Sequence, residues 1–323
     1  MQPFKWCFIG SGKLANKVAR QIIKSGRHEI VSVYSRNSAR CSAFAKKYGA
    51  IACNSAEEAI NAKGVDGVYI VTPHNSHFEY SKLCIEAGKP TLCEKPFTVD
   101  AKSAKEVLAL AEEKGVYIVE AMWTWFAPVA NKVKEWLDFG EFGEVKRVTS
   151  KWHIPGNYAP RVTDPFRAGG ALLDIGVYPV TYAYRLFGKP QKVECEGTVK
   201  NGIDLSEEIK FIYSSGMEFT SSVSIKRLDC IESLKIEGSK AKINLAFFHC
   251  ANRVKLKRLK DKSEVFSGNG SYLNEFDVVA KEITSGLKES NYVPHKSTIE
   301  VMELMDECRK QLNLVYPFEV KSE

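Results

Sequence analysis

The segment "KWCFIGSGKLANKVARQII" spans residues 5–23 and decides the fold of the first part of the chain. It opens on an apolar run typical of a buried strand, and it continues with apolar residues at helical spacing. Between the two, "GSGKLA" (10–15) matches the pattern G-x-G-x-x-G/A. Gly10 permits a tight turn, Gly12 lets the backbone approach a pyrophosphate, and Ala15 lets the helix pack closely on the strand. The motif predicts a dinucleotide site, and the alternative is a tight strand-to-helix turn without a ligand.

The first 121 residues repeat this alternation of strand and helix. Capping signals mark the helices, such as the spacing of Ser55 and Glu58, and Asp100 before a long amphipathic segment. The predicted strands cover 5–10, 29–35, a short stretch near 51, 67–72, 90–95 and 116–121. The alternation predicts a doubly wound parallel sheet, a Rossmann fold that binds its ligand at the carboxyl ends of the strands.

The end of the second predicted strand indicates which dinucleotide binds. NAD sites usually carry an Asp or Glu there for the ribose diol, whereas this strand ends in "YSRNSAR" (34–40). Ser35, Arg36 and Arg40 offer a hydroxyl and two guanidinium groups, which suit a 2′-phosphate. We therefore expect NADP as the cofactor, with NAD less favoured. The alternative is that both arginines are solvated charges at the start of a helix.

The segment "CEKPFT" (93–98) follows the fifth predicted strand, so Glu94 and Lys95 should lie at the ligand-binding edge of the sheet. A lysine there could bond the nicotinamide ribose and a substrate oxygen. The alternative is a surface lysine in a turn fixed by Pro96. The segment "TPHNSH" (72–77) ends the fourth strand and borders the nicotinamide half of such a site. The expected cofactor-binding residues are Gly10, Gly12, Lys13, Leu14, Ser35, Arg36, Arg40, Thr72, Pro73, His74, His77, Glu94 and Lys95.

After residue 121 the pattern changes. We predict a helix over 128–138, a strand over 144–153, successive strands from 191 to 258 and helices near 272–287 and 297–312. This order indicates an α/β domain with an open, mostly antiparallel sheet. We expect residues 1–121 to form the dinucleotide-binding domain and residues 122–323 to form a domain for substrate binding and dimerisation.

The segment "GGALLDIGVY" (169–178) places an acid and a phenol among apolar residues. Asp174 and Tyr178 are four residues apart, so they share one face of a helix. Pro179 is tolerated only in a first helical turn, which predicts a helix that starts close to Asp174. On the residues alone, Asp174 could be a helix N-cap and Tyr178 a buried aromatic.

The composition of the chain limits the classes of function that it can have. The chain has 323 residues, 44% of them hydrophobic, and a formal charge of +7. Its most basic stretch, 252–262, interleaves lysines and arginines with Val254, Leu256 and Leu259, which favours an amphipathic strand over a nucleic-acid site. Nine cysteines without a C-x-x-C pair argue against a disulfide framework and a metal site. The absence of a signal-like N-terminus or a membrane-length apolar run leads us to expect a cytoplasmic protein.

Taken together, "GSGKLA", "EKP" and "GGALLDIGVY" resemble the glucose–fructose oxidoreductase, inositol dehydrogenase and rhizopine catabolism (Gfo/Idh/MocA) family over nearly the whole chain. The stretches "EAMWTWF" and "PRVTDPFRAGGALLDIGVY" are most similar to the branch with dimeric dihydrodiol dehydrogenase and NADP-dependent D-xylose dehydrogenases. In that branch, Arg often stands where this chain has Trp125. The resemblance implies a homodimer or higher homo-oligomer formed through the C-terminal sheet.

The resemblance also implies roles for individual residues. Lys95 and Tyr178 would face the nicotinamide with Asp174 beside them, and Trp123 and Trp152 would line the substrate pocket. Tyr178 would exchange the hydroxyl proton, because the nearby Lys95 ammonium would lower a phenol pKa that is ordinarily roughly 10. Asp174 would orient the lysine or the substrate. His153, after the predicted pocket strand, is a further substrate-site residue and, with His74 and His77, a competing base.

These expectations favour an NADP-dependent oxidoreductase acting on a secondary hydroxyl or carbonyl of a sugar, polyol or cyclic dihydrodiol. Within enzymes, the alternative is a carbonyl reductase that consumes NADPH. In another class, the alternative is a catalytically idle NAD(P) or sugar sensor, which has no need of a proton acceptor at the nicotinamide.

Overall fold

The computed structural model describes residues 2–156 and 159–319. The chain divides into two compact units, Met1–Phe126 with Ser271–Thr298, and Ala127–Gly270 with Ile299–Glu323. The sequence led us to expect one division, at residues 121 and 122. The structure differs because the segment Ser271–Thr298 returns to the first unit.

The first unit contains a six-stranded parallel sheet in the order β3-β2-β1-β4-β5-β6. The sheet has the reversal of strand order that creates a ligand site in doubly wound folds. Its strands are β1 Phe4–Ile9, β2 His28–Tyr34, β3 Ile51–Ala52, β4 Gly67–Ile70, β5 Thr91–Glu94 and β6 Ile118–Ala121. Every residue of β4, β5 and β6 is buried, as expected when helices cover both faces. The predicted Rossmann fold is confirmed.

The second unit contains an eight-stranded sheet in the order β14-β13-β12-β11-β7-β10-β9-β8. Its strands are β7 Val145–His153, β8 Lys192–Lys200, β9 Ile203–Ile212, β10 Glu218–Ser224, β11 Glu232–Gly238, β12 Ala241–Ala246, β13 Arg253–Arg258 and β14 Glu264–Ser267. Only the pair β7 and β10 is parallel among the recorded strand pairs. The predicted mostly antiparallel sheet is confirmed, and Val254 and Leu256 of the basic stretch are buried within it.

Two helices begin at the predicted caps Ser55 and Asp100, and Asn37 caps a third in the same way. Side chains of Asn37, Ser55 and Asp100 each accept a backbone N–H from the residue three positions later. The α-helices are α1 Lys13–Lys24, α2 Ser38–Tyr48, α3 Ala56–Ile60, α4 His77–Glu86, α5 Ala101–Lys114, α6 Pro128–Asp138, α7 Val177–Phe187, α8 Tyr272–Thr284 and α9 His295–Gln311.

The returning segment completes the core of the first unit. Phe276 of α8 is fully buried, and its ring lies 4.8 Å from that of Trp6 and 5.0 Å from that of Tyr69. Tyr117 donates a hydrogen bond of 2.6 Å to Glu282 in the same helix. These contacts explain why α8 belongs to the first unit, although about 140 residues of the second unit precede it in the chain.

The helix that carries Tyr178 begins close to Asp174, as predicted, but Asp174 lies inside its first winding rather than before it. A π-helical turn at Leu172–Gly176 precedes α7. Pro179 has no N–H and its ring would crowd the carbonyl of residue 175 in a regular helix, so the wider winding accommodates it. A residue of another element caps the first turn: the Leu172 amide donates a hydrogen bond of 2.5 Å to the Asp204 carboxylate of β9. Asp174 as an N-cap is therefore wrong.

All nine cysteines are free thiols and seven of them are buried, as expected for small core residues. Within residues 2–156 and 159–319, no helix is long and apolar enough to cross a bilayer. In the same part of the chain, no cluster of three His, Cys, Asp or Glu side chains has a geometry that could hold a metal ion.

Candidate active site

The glycine-rich turn after β1 has the geometry that a phosphate-binding turn needs. Gly10 has φ +119°, and an added Cβ would lie only 2.5 Å from the carbonyl oxygen of Val71, so no other residue fits. A Cβ on Gly12 would meet no atom within 4 Å, which leaves open space beside the N-terminus of α1. That helix has no side-chain cap and no acid in its first turn, the turn that Lys13 and Leu14 begin. These features fit an anionic pyrophosphate at its N–H groups.

The end of β2 offers positive charge and no carboxylate. Ser35 is half-buried, whereas Arg36 and Arg40 are exposed. The backbone of Arg40 is held in the cap of α2, because its N–H donates 2.9 Å to Asn37. The first turn of α2 contains no acidic residue. The arrangement fits a phosphate group near the guanidinium groups.

The loop after β4 is fastened to the turn after β5 by a buried histidine. Nδ1 of His77 lies 2.9 Å from the carbonyl oxygen of Pro96, and Nε2 lies 3.0 Å from that of Thr72. His77 is fully buried, and His74 packs beside it with the ring centroids 5.9 Å apart. His77 therefore ties together the loops in which Pro73 and Lys95 lie. This placement is that of a structural link rather than of a solvent-accessible base.

The turn that carries Lys95 is buried and acidic. Glu94 accepts hydrogen bonds from Tyr69 (2.6 Å) and from the Lys95 amide (3.2 Å). Glu120 of β6 accepts one from the Phe97 amide at 3.0 Å. Burial raises the pKa of Glu120 to about 7, although its hydrogen bonds and the Lys95 ammonium oppose this shift. Because Lys95 itself is buried, its interpretation as a surface lysine is wrong.

A further carboxyl group lies behind this turn. Glu275 of α8 is fully buried, and its carboxyl oxygens have no hydrogen-bond partner among the described residues. Burial and the charge of Glu94 raise the pKa of Glu275 well above its usual range. The raised pKa favours the neutral acid, and sequence reasoning missed this group because Glu275 lies 180 residues after Lys95.

Trp123 lies in a short 3₁₀ turn after β6 and is almost fully buried. Its ring stacks on that of Tyr272 with the centroids 4.5 Å apart, and the Lys17 ammonium lies 5.1 Å from the Tyr272 ring. The predicted substrate residue Trp123 is thus fixed by the returning segment. The neighbouring Trp125 is also buried.

In the second unit, Tyr178 belongs to an aromatic cluster. Its ring centroid lies 4.9 Å from that of Trp152 and 5.7 Å from that of His249. Trp152 and His249 stack at 4.6 Å, and Phe248 packs edge-on against Trp152. The structure therefore brings together two of the predicted substrate residues, Tyr178 and Trp152, and adds His249, which sequence reasoning missed.

Asp174 is buried and ion-paired. Its carboxylate accepts a hydrogen bond of 2.6 Å from Arg161, whose side chain is one-third exposed. The pair fixes the orientation of the acid four residues before Tyr178. Arg161 was not singled out from the sequence, although it lies within the stretch that resembles the dihydrodiol dehydrogenase branch.

His153 follows Trp152 directly and therefore points to the other face of the sheet. Its ring nitrogens contact Asp229 at 3.2 Å and Ser222 at 2.9 Å. The structure thus does not bring His153 into the cluster of Trp152 and Tyr178. Strict alternation along β7 provides the physical reason.

His249 is held in place by Glu232 of β11, which pairs with Trp152 across the sheet. One carboxylate oxygen accepts from the His249 amide at 2.9 Å and from Nδ1 at 2.7 Å. Burial alone would lower the pKa of His249, but hydrogen bonds to Cys250 and Glu232 outweigh it and raise that pKa to about 9. The imidazole is thus a cation at neutral pH.

Comparison with known proteins gives the chain a family. The model for the oxidoreductase family with an NAD-binding Rossmann fold matches residues 4–121, and the GFO/IDH/MocA C-terminal domain matches residues 130–244. The trans-1,2-dihydrobenzene-1,2-diol dehydrogenase of Mus musculus is 30% identical over 329 residues, which cover 97% of this chain and 98% of that protein. The chain belongs to the Gfo/Idh/MocA family of oxidoreductases. The predicted membership is confirmed.

Other members of the Gfo/Idh/MocA family are similar over comparable lengths. The NADP(+)-dependent D-xylose 1-dehydrogenase of Hypocrea jecorina is 30% identical and covers 97% of this chain and 93% of its own. A 3-ketoreductase from Actinomadura kijaniata, solved with NADP and TDP-benzene, superposes with a TM-score of 0.84 at 22% identity over 96% of this chain and 98% of its own. At that identity the superposition shows the shared fold.

Proposed function

We propose that this protein is an NADP-dependent dehydrogenase that moves a hydride between the nicotinamide and a secondary hydroxyl or carbonyl group. The substrate class is a sugar, polyol or cyclic dihydrodiol. The proposal rests on membership of an oxidoreductase family whose similar members are named as diol and xylose dehydrogenases. The observation that carries the chemistry is a buried carboxylate and a buried phenol four residues apart, Asp174 and Tyr178, with the phenol ring packed on Trp152.

The cofactor assignment is supported by the space at Gly12 and by the charge after β2. The open position beside the N-terminus of α1 accepts a pyrophosphate, and Ser35, Arg36 and Arg40 suit a 2′-phosphate. The remaining predicted contacts, Thr72, Pro73, His74, His77 and Glu94, would shape the nicotinamide side. When bound, the nucleotide accepts or supplies the hydride.

We propose that Tyr178 exchanges the proton of the reacting hydroxyl and that Lys95 assists it electrostatically. An alcohol loses hydride readily only when its hydroxyl proton leaves in the same step, so a positioned base is needed. An ammonium near a phenol favours the phenolate. Asp174, held by Arg161, would orient the substrate. The same groups serve the reverse reduction by microscopic reversibility.

The test of this assignment is Tyr178→Phe, with Tyr184→Phe as the matched control on the same helix. Turnover should be measured with trans-dihydrodiols, D-xylose and related polyols, and NADPH binding by quenching of tryptophan fluorescence. We expect Tyr178→Phe to lower kcat by about 10²–10⁴-fold and to retain nucleotide binding, and Tyr184→Phe to resemble wild type. Near-normal turnover of Tyr178→Phe would refute the role of the phenol.

Cofactor choice is tested with Arg36→Ala, and Arg20→Ala on the exposed side of α1 is the control. If Arg36 bonds the 2′-phosphate, its loss should weaken NADPH binding by about 10-fold or more and leave NADH nearly unchanged, because charged hydrogen bonds contribute about 1.5–3 kcal/mol. Equal losses for both nucleotides would remove the argument for NADP.

A reductive role is a second candidate, because a similar structure is named as a 3-ketoreductase. Structures of that enzyme include variants of one lysine and one tyrosine, the residue types proposed here to act together. Rates in both directions would distinguish it. A sensor without turnover would show binding only.

We also propose that the protein is cytoplasmic and forms a homodimer or higher homo-oligomer through the eight-stranded sheet. Light scattering would measure the oligomeric state.

A further inference from the structure

The turn that contains His249 is fixed on several sides. The Tyr182 hydroxyl donates 3.1 Å to the Phe248 carbonyl, and the Phe248 ring packs edge-on against Tyr182 and Trp152. Glu232 fastens the turn from β11 through its backbone and its carboxylate, because the amide of Phe247 donates to its carbonyl at 3.2 Å. His249 therefore cannot swing away from the rings of Trp152 and Tyr178 without breaking several contacts.

Several ionisable groups lie around this turn. Glu232 faces His249 from β11, and Cys250 is its neighbour in the turn. Tyr182 contacts the turn from α7, and burial raises the pKa of its phenol so that this group stays neutral, although the nearby Arg185 charge opposes the shift. Asp174, one helical turn before Tyr178, is already paired with Arg161. His249 thus places a positive charge against Tyr178, with the ring centroids 5.7 Å apart.

We propose that the His249–Glu232 pair places a positive charge against Tyr178 at neutral pH and thereby favours its phenolate. His249 is on this view a positioning residue for the proposed proton transfer, and the inference rests on the proposed function of Tyr178. The Glu232 carboxylate, 94% buried at the side chain, keeps the imidazolium charged by compensating for the hydration that the ring loses on burial. The cationic ring also stacks on Trp152, which adds an attraction between the cation and the π-system.

The size of the effect follows from the separation. With the ring centroids 5.7 Å apart in a buried site, a unit charge changes a neighbouring pKa by on the order of one to two units, and the opposing charge of Glu232 reduces this to about one unit. We therefore expect His249→Asn to raise the pKa of Tyr178 by about one unit. Asparagine keeps a hydrogen bond to Glu232 and removes the charge.

The charge can be tested without catalysis. Protein labelled with [¹³Cζ]tyrosine gives one signal for each of 13 tyrosines, and Tyr178→Phe identifies the signal of Tyr178 by its loss. Titration of wild type and His249→Asn then measures the phenol pKa directly. An unchanged or lower pKa of Tyr178 in His249→Asn overturns the proposal.

Glu232→Gln gives an independent test, because our proposal and a simpler explanation predict shifts of opposite sign in the pKa of Tyr178. Removal of an anion alone should lower the pKa of Tyr178. Under our proposal the substitution also takes away the group that keeps His249 charged, so the imidazole becomes neutral and the pKa of Tyr178 rises. A fall in this pKa would overturn the proposal even if His249→Asn failed to fold.

The kinetic consequence appears in the pH profile of kcat/KM for alcohol oxidation. In His249→Asn the rising limb should move up by about one pH unit, which lowers activity about 10-fold below the limb and leaves the plateau close to wild type. A merely structural role would lower the plateau without moving the limb. If Tyr178→Phe keeps full turnover while the tyrosine titration still shifts, the proposed function fails and the electrostatic pairing stands.

Discussion

Replacing Glu120 by glutamine tests the buried acid beside the turn that carries Lys95. Glu120 is 3% exposed and its pKa rises from an ordinary 4.5 to about 7. The folded protein therefore holds this proton more tightly than the unfolded chain does. The folded protein is not destabilised by Glu120 below about pH 4.5. Its free energy of unfolding declines as the pH rises to 7 and stays reduced above that value.

The magnitude follows from the shift in pKa. A shift from 4.5 to about 7, at about 1.36 kcal/mol per unit, corresponds to about 3 kcal/mol at pH 8 and less than about 1 kcal/mol at pH 5. Glutamine cannot ionise, and its carbonyl oxygen can still accept the Phe97 amide. Glu120→Gln should therefore be more stable than wild type by about 3 kcal/mol at pH 8, or about 6–10 °C in Tm.

The assay is thermal unfolding of wild type, Glu120→Gln and the control Glu113→Gln across pH 5–8. Glu113 is exposed on α5, so its substitution should have no pH-dependent effect. The difference in Tm between Glu120→Gln and wild type should grow as the pH rises. A difference that is independent of pH would refute the reasoning, because it would mean that Glu120 ionises equally well in both states.

Other predictions concern the glycine turn, the buried ion pair and the returning helix. Gly10→Ala should destabilise the protein by about 1–3 kcal/mol in thermal unfolding because of its strained φ, whereas Gly12→Ala should leave Tm unchanged and weaken NADPH binding. Arg161→Ala should cost about 3–5 kcal/mol by removing the cation that pairs with a buried carboxylate, and this cost should shrink when Asp174→Asn is combined with it in a double-mutant cycle. Phe276→Ala should cost about 3–5 kcal/mol in denaturant unfolding.

Local pattern predicted the elements of the first unit well. The glycine motif, the strand alternation and the caps at Ser55 and Asp100 are short-range signals, and a few neighbouring residues determine them. The packing of α8 on the first unit could not be predicted from the sequence. An amphipathic helix shows which face is buried but does not show which sheet buries it, so nothing near Phe276 indicates Trp6 as its partner.

The candidate site shows the same limit. Tyr178 and Trp152 were found through resemblance, whereas His249 lies in an irregular turn and acquires its charge from Glu232, 17 residues earlier. Only the pairing of strands brings these groups together. His153 could have been separated from Trp152 by the alternation of side chains along a strand, a signal that the sequence does contain.

Because α8 lies late in the chain, the first unit cannot complete its core until most of the protein has been synthesised. During synthesis, Trp6, Phe8 and Tyr69 emerge long before Phe276, which packs against all three. The apolar surface of the first unit therefore stays exposed while more than a hundred further residues are synthesised. A fragment that ends at Phe126 should expose this surface and associate, and adding Ser271–Thr298 as a separate peptide should restore a monodisperse species.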